Sequence, residues 1–300
     1  MSTKCLMILS SKSAGSSALQ YFLTKNPQVN HISKTRHFEH ETLYWSKAAS
    51  CLDLPQLNMA ASEVPIKKDK ARIDLISLLK DNLDSYDPPE EIDELIFTGW
   101  KLLCQQYAPV FLEKSPHHLF NWPVLELILE CTKRLPEIDF FFIGLIRNPM
   151  DTLYSMWKRF KILPEKSQAQ WLIEYSNLLT FKKSVGDRLI ILKYEDLVEN
   201  TDCLEPVYKF IGIDDYQTDK IYFHSQSIGK WKKDRYFGFR LSKEVLTLSE
   251  KFGYERQALL NKEKFLWPYY KWLARGVNRI TYPLRTVLLN VKKKTINSPN

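Results

Sequence analysis

The sequence predicts an α/β fold, a three-layer sandwich around a central parallel sheet. Three observations carry that expectation. Short apolar runs, at residues 5–9 and above all at 139–147, are continuous and do not alternate, as strands buried on both faces require. Stretches with helical spacing separate these runs, and strand alternating with helix marks a parallel sheet with crossovers on both faces. Between the first run and the first helix lies SSKSAGSS, residues 10–17, whose side chains are too short to bury anything.

That loop leads into a helix in which Ala18, Leu19, Phe22 and Leu23 recur at helical spacing. Such a turn aims backbone N–H groups at its centre, and the helix dipole adds positive potential there. Residues Ser13, Ala14, Gly15, Ser16 and Ser17 are therefore candidate anion-binding positions, with Gly15 allowing close approach of the backbone. A Walker loop places Lys and Ser/Thr after its last glycine. Here Ser16 and Ser17 follow Gly15, and the loop lysine, Lys12, precedes it. A nucleotide with a short 5′ arm and no metal requirement fits better than ATP. A serine-rich connection in an ordinary α/β domain would look the same, so the loop alone does not decide.

Further along, the first helix ends near Asn26-Pro27. Residues 31–50 pack charge, histidine and aromatics together and read as a site-lining loop leading into a helix. Residues 51–108 read as a helical insertion or acceptor lobe, with helical spacing over 66–83 and again over about 90–106. A short strand is expected at 110–113, then a helix opened by Asn121 and Pro123 and running to Leu135. Residues 139–147 form the central strand, with Phe140, Phe141 and Phe142 as core. Helices at about 149–161 and 168–184 and a strand at 188–193 complete a single domain over 1–263.

With 44% hydrophobic and 13% aromatic residues, the 300-residue chain can bury a full core. The net charge of +8 is unevenly placed: residues 264–300 hold eight basic residues and no acidic one, leaving 1–263 balanced. The charge thus belongs to the tail and does not point to nucleic acid. Five scattered cysteines, odd in number and without a CxxC pair, read as reduced thiols rather than disulfides or a metal site. There is no charged-then-apolar leader and no run of about 18 apolar residues, so a cytoplasmic location is expected. In the tail, Phe265, Trp267, Tyr269, Tyr270, Trp272 and Tyr282 alternate with Lys271, Arg275, Arg279 and Arg285. Either these aromatics pack on the body, or the tail lies peripherally on an anionic membrane.

A second constellation follows the central strand: Arg147-Asn148-Pro149-Met150-Asp151-Thr152-Leu153-Tyr154-Ser155. Asn148 can cap the helix, Pro149 suits its first turn, and Asp151 complements its dipole. Arg147 stands at the carboxyl end of a strand, where α/β sheets bind ligands. Ser155 lies seven residues past the cap and returns to the same face, so the two can converge on one phosphate.

Taken together, the two motifs resemble those of the sulfotransferases that use 3′-phosphoadenosine 5′-phosphosulfate (PAPS). In that family a Lys/Arg-x-Gly-Ser/Thr-Ser/Thr loop binds the 5′-phosphosulfate. A downstream Arg-Asp/Asn-Pro-x-Asp-x-x-x-Ser binds the 3′-phosphate, and residues 147–155 match it at every fixed position. Glu113-Lys114-Ser115-Pro116 is similar to an EKS/EKTP segment of glycan sulfotransferases. Lys193-Tyr194-Glu195-Asp196-Leu197 resembles the family's KYEDL stretch, and Ser227-Ile228-Gly229-Lys230-Trp231-Lys232 its late nucleotide-covering loop. The resemblance implies a P-loop NTPase-like sulfotransferase fold, PAPS as co-substrate, and no metal. It adds Tyr194, Gly229, Lys230 and Trp231 to the donor site.

Two positions depart from the pattern. Ser13 stands where the family has its loop lysine, with Lys12 one step further back. Thr35 stands where the glycan branch has a catalytic glutamate two residues before His-Phe, here His37-Phe38. The resemblance then implies Lys12 and Lys114 for charge stabilisation and Glu39 or His37 as general base, with Glu41, His40 and Glu113 next. His117-His118 reads as a structural pair, and Glu195-Asp196 as a helix or loop start. The segment at 113–116 and the His-Phe pair favour a carbohydrate acceptor over a phenol or steroid. A small-molecule P-loop kinase and a non-catalytic nucleotide-binding protein on the same scaffold are the competing functions.

Overall fold

The computed structural model describes residues 3–213, 222–274 and 276. Five strands form one sheet: β1 (Thr3–Ser10), β2 (Val29–His31), β3 (Val110–Lys114), β4 (Ile138–Ile146) and β5 (Leu189–Lys193). Their order is β2-β3-β1-β4-β5, and every pairing is parallel. β1 lies between β3 and β4, with Leu6 beside Leu112 on one flank and Phe141 on the other. Residues Cys5 to Leu9 have no exposed surface at all. Because successive strand residues face opposite ways, Cys5, Met7 and Leu9 enter one apolar cluster and Leu6 and Ile8 the other. This two-sided burial is the cause of the unbroken apolar run.

Helices supply the two outer layers. In chain order they are α1 (Ser16–Leu23), α2 (Tyr44–Cys51), α3 (Lys68–Asn82), α4 (Ile92–Gln106), α5 (Trp122–Arg134), α6 (Pro149–Phe160) and α7 (Pro164–Val185). Then follow α8 (Tyr194–Glu199), α9 (Glu205–Ile211), α10 (Lys230–Lys233), α11 (Lys243–Glu250) and α12 (Arg256–Leu259). Residues 267–274 are again helical. None of the described helices is long and apolar enough to cross a membrane. All five cysteines are free.

The expected elements occur with small shifts of boundary, and β2 is an addition, too short at three residues to show a period. Asn148 caps α6 through its side chain, accepting from Met150 N (2.9 Å) and Asp151 N (3.4 Å). Asn121 precedes α5 without capping it, because its Oδ1 accepts instead from Leu57 N at 2.6 Å. Within 51–108, α4 lies against the sheet: Trp100 is fully buried and its ring centroid is 5.3 Å from that of Phe111. Helix α4 therefore belongs to the layer under β3, and it is the irregular stretch before α3 that reaches the site. The tail positions Arg275, Arg279, Tyr282 and Arg285 lie outside the described residues.

Candidate active site

The carboxyl ends of β1, β3, β4 and β5 open into one cavity of about 820 Å³. After β1 the chain passes through Ser13 (φ 65°) and Gly15 (φ 102°) before α1, which no side chain caps. Left-handed residues in such a turn gather N–H groups on its concave side. Gly15 is required for a second reason. A Cβ there would lie 2.4 Å from Cδ2 of Tyr194, so the ring takes the space that a side chain would occupy.

Tyr194 begins α8 and is buried between Gly15 and Arg147, whose guanidinium carbon stands 4.9 Å from the ring centroid. Arg147 follows β4. It donates from Nη1 to Ser13 O (3.2 Å) and from Nη2 to Ser227 O (2.6 Å), while its buried Nε has no partner. The buried Ser13 Oγ is likewise unpartnered. Ser155, from α6, lines the same cavity.

From β3, Lys114 sends a fully buried ammonium to Ser17 Oγ (3.2 Å), Glu39 O (3.0 Å) and Glu41 Oε1 (3.3 Å). All three of its donors are used, which is the condition for a buried charge. Ser17 in turn donates to Glu39 Oε2. The segment holding these carboxylates is bent: Glu39, His40 and Leu43 all have positive φ, between 52° and 58°. Such strain persists only where the surroundings enforce it. Here Thr35 donates to Glu41 O (2.7 Å), and Ser115 Oγ accepts from Thr42 N and Leu43 N, each at 3.1 Å. Thr35, at the place of the family's glutamate, thus serves the shape of the loop. Beneath it, burial would raise the carboxyl of Glu113. His118 at 3.4 Å, with the Ser115 and Thr42 hydroxyls, outweighs burial and holds it below the usual carboxylate range.

A model described as "Sulfotransferase family" matches residues 6–218. The chain belongs to the sulfotransferase family. No curated protein matches it. Among solved structures, the sulfotransferase domain from the Synechococcus PCC 7002 olefin synthase is 17% identical with a TM-score of 0.55, covering 84% of this chain and 95% of that one. The sulfotransferase domain from the curacin biosynthetic pathway is 19% identical with a TM-score of 0.55, covering 83% and 97%. At these identities the likeness is one of fold. None of these matches singles out the carbohydrate branch.

In this sulfotransferase Lys12 lines the cavity, but its ammonium donates to the carbonyls of Ala60 (3.3 Å) and Ala61 (2.8 Å). Burial brings its pKa down to about 8, against the pull of Glu41 and Glu174. His37 Nε2 stands 3.3 Å from Glu63 Oε1, and both residues line the cavity. Gly229 N donates to Asp151 Oδ1 at 2.8 Å, so the late loop is tied to α6. Lys230 and Trp231 do not line the cavity, and Trp231 is buried in the larger apolar cluster. Glu195 is also structural, accepting from Asn148 N (3.0 Å) and Tyr254 OH (2.8 Å).

Several cavity residues went unmarked by sequence reasoning. Glu63 and Ser62 come from the irregular stretch before α3, and His117 stands 3.6 Å from Glu41 Oε2. Burial pushes the His117 imidazole well below its ordinary pKa and that of the Glu41 carboxyl above it, the latter opposed by Lys114. Arg159 lies 3.9 Å from Glu39 Oε1. Its signal was available, since it follows Ser155 by four residues on the same helical face.

Proposed function

We propose that this sulfotransferase takes its sulfuryl group from PAPS and passes it to a hydroxyl, or an amine, of an acceptor, with a carbohydrate as the first choice. The observation that carries the reading is the meeting of Arg147 with the loop after β1 in one cavity, whose wall at Ser17, Glu39 and Glu41 is backed by the buried Lys114 ammonium. The unpartnered Ser13 Oγ and Arg147 Nε fit a bound anion, since buried polar groups without partners are costly.

The donor supplies a sulfuryl group on a phosphate leaving group. Residues 13–17 would hold its 5′ end, and Arg147 with Ser155 its 3′-phosphate. Lys114 places positive charge against Ser17, where negative charge builds on the leaving oxygen. Glu39 and His37 are the first candidates to accept the acceptor's proton. Glu41 joins them, because a raised carboxyl pKa makes a better base at neutral pH. A kinase reading fares worse, as the residue after Gly15 is serine. A non-catalytic nucleotide-binding role draws support from Lys12, whose ammonium is held by backbone carbonyls.

Calorimetry with 3′-phosphoadenosine 5′-phosphate (PAP) and with ATP tests the donor: binding of PAP and not ATP is expected, and the reverse sinks the reading. Labelled PAPS screened over sugars, phenols and amines tests catalysis. PAP binding without transfer to any of them would favour the non-catalytic role.

A further inference from the structure

The helix at residues 267–274 has two unlike faces. Trp267 and Tyr270 turn inward: Trp267 packs its ring 5.6 Å from Trp157 and 5.0 Å from Phe237, and Tyr270 lies 6.2 Å from Trp157. Lys271 fixes the same helix to α7 through Glu165 at 2.5 Å. The outward residues recur at helical spacing and stay in solvent. Phe265 is 96% exposed, Tyr269 62% and Trp272 68%, with Leu266 and Leu273 beside them. The rings of Tyr269 and Trp272 are 6.0 Å apart and form one surface. Scattered exposed apolar residues are ordinary, but a contiguous aromatic face marks an interaction surface.

Charge decides between occupants. From Lys264 to the last residue there are eight basic side chains and no acidic one, whereas the rest of the chain is balanced. These basic residues begin at the face and follow it in sequence, and a second copy would carry the same excess of positive charge. An anionic lipid surface meets both features, since aromatic rings settle at headgroup depth while lysine and arginine reach the phosphates. The face also adjoins the cavity through α6, which packs Trp157 on the tail helix and carries Arg159 and Phe160 into the cavity wall. We propose that the aromatic face of residues 265–273, with the basic residues that follow it in sequence, seats this protein on an anionic membrane surface, the cavity held close to it.

Co-sedimentation with vesicles tests this, using the full chain and the variant Phe265→Ser/Tyr269→Ser/Trp272→Ser, whose altered side chains are all exposed. An unchanged circular dichroism spectrum and thermal midpoint establish that the variant is folded. The full chain is expected to pellet with vesicles of equal phosphatidylglycerol and phosphatidylcholine. Binding should be about tenfold weaker or more to phosphatidylcholine alone, in high salt, or for the variant. A full chain that stays in the supernatant with anionic vesicles overturns the proposal. So does a variant that pellets like the parent, or equal binding to neutral and anionic vesicles. If the parent dimerises, the variant is monomeric and neither binds vesicles, the face belongs to a second copy and the proposal fails. None of these outcomes depends on the donor or acceptor.

Discussion

The ring of Tyr194 fills the space in which a side chain on residue 15 would stand, 2.4 Å from the missing Cβ. Gly15→Ala therefore forces the loop, the ring or both to move, and also places a side chain at φ 102°. We predict a stability loss of about 1–3 kcal/mol and a clear fall in PAP affinity. Removing the ring as well, in Gly15→Ala/Tyr194→Ala, should recover little, because the backbone strain remains. A thermal melt and a titration of each variant check this, and unaltered affinity in Gly15→Ala would contradict it.

Arg147 holds two carbonyls, of Ser13 and Ser227, lines the cavity, and keeps a buried Nε without a partner. Arg147→Ala is expected to weaken PAP binding by about 2–4 kcal/mol, and Ser155→Ala by about 1 kcal/mol. Calorimetry reads both. An Arg147→Ala protein that binds as tightly as the parent removes the basis for the donor-site assignment.

For the general base, replacing the true group with its uncharged amide should lower the rate about 100- to 10,000-fold and leave PAP affinity nearly unchanged. The series is His37→Asn, Glu39→Gln and Glu41→Gln, measured as single turnovers with saturating donor. Full activity in all three would place the base outside this group.

Glu174 is buried beside Gln170, and burial pushes its carboxyl up to about 8, the Gln170 and Lys12 contributions working the other way. The native state thus binds a proton that the unfolded chain, titrating near 4.5, has released. This contribution to stability is complete below about pH 4.5 and is lost as pH rises through about 8. Glu174→Gln keeps the neutral form at every pH. Denaturant midpoints for parent and variant should agree at pH 4 to 5 and diverge by pH 9, with the variant the more stable. Curves that run parallel across this range would refute the assignment.

Much of this fold was legible because its signals are local. The apolar runs became β1 and β4 since burial on both faces leaves no polar positions, and Asn148-Pro149 announced α6 through capping chemistry. Gly15, Arg147 and Ser155, which line the cavity, likewise lie within a few residues of the element ends that position them. What escaped is brought in from far along the chain. Glu63 meets His37 and Ala61 meets Lys12 only after the stretch before α3 folds over the cavity, across 49 residues in the second case. No period or spacing encodes such a meeting. Trp231 shows the reverse: its motif sits in the late loop, but its ring is buried in the core.

Helix α6 carries a consequence for any mutational survey of this protein. About 18 Å long at 1.5 Å per residue, it presents Ser155 and Arg159 to the cavity, Asp151 to the late loop and Trp157 to the tail helix. Trp157→Ala should cost about 3–5 kcal/mol of stability through the void it leaves. In a screen scored by turnover alone, Trp157 and Leu153 would therefore rank beside Ser155 without lining the cavity. Scoring the yield of folded protein alongside turnover separates the two classes, and α6 is where the two rankings should diverge most.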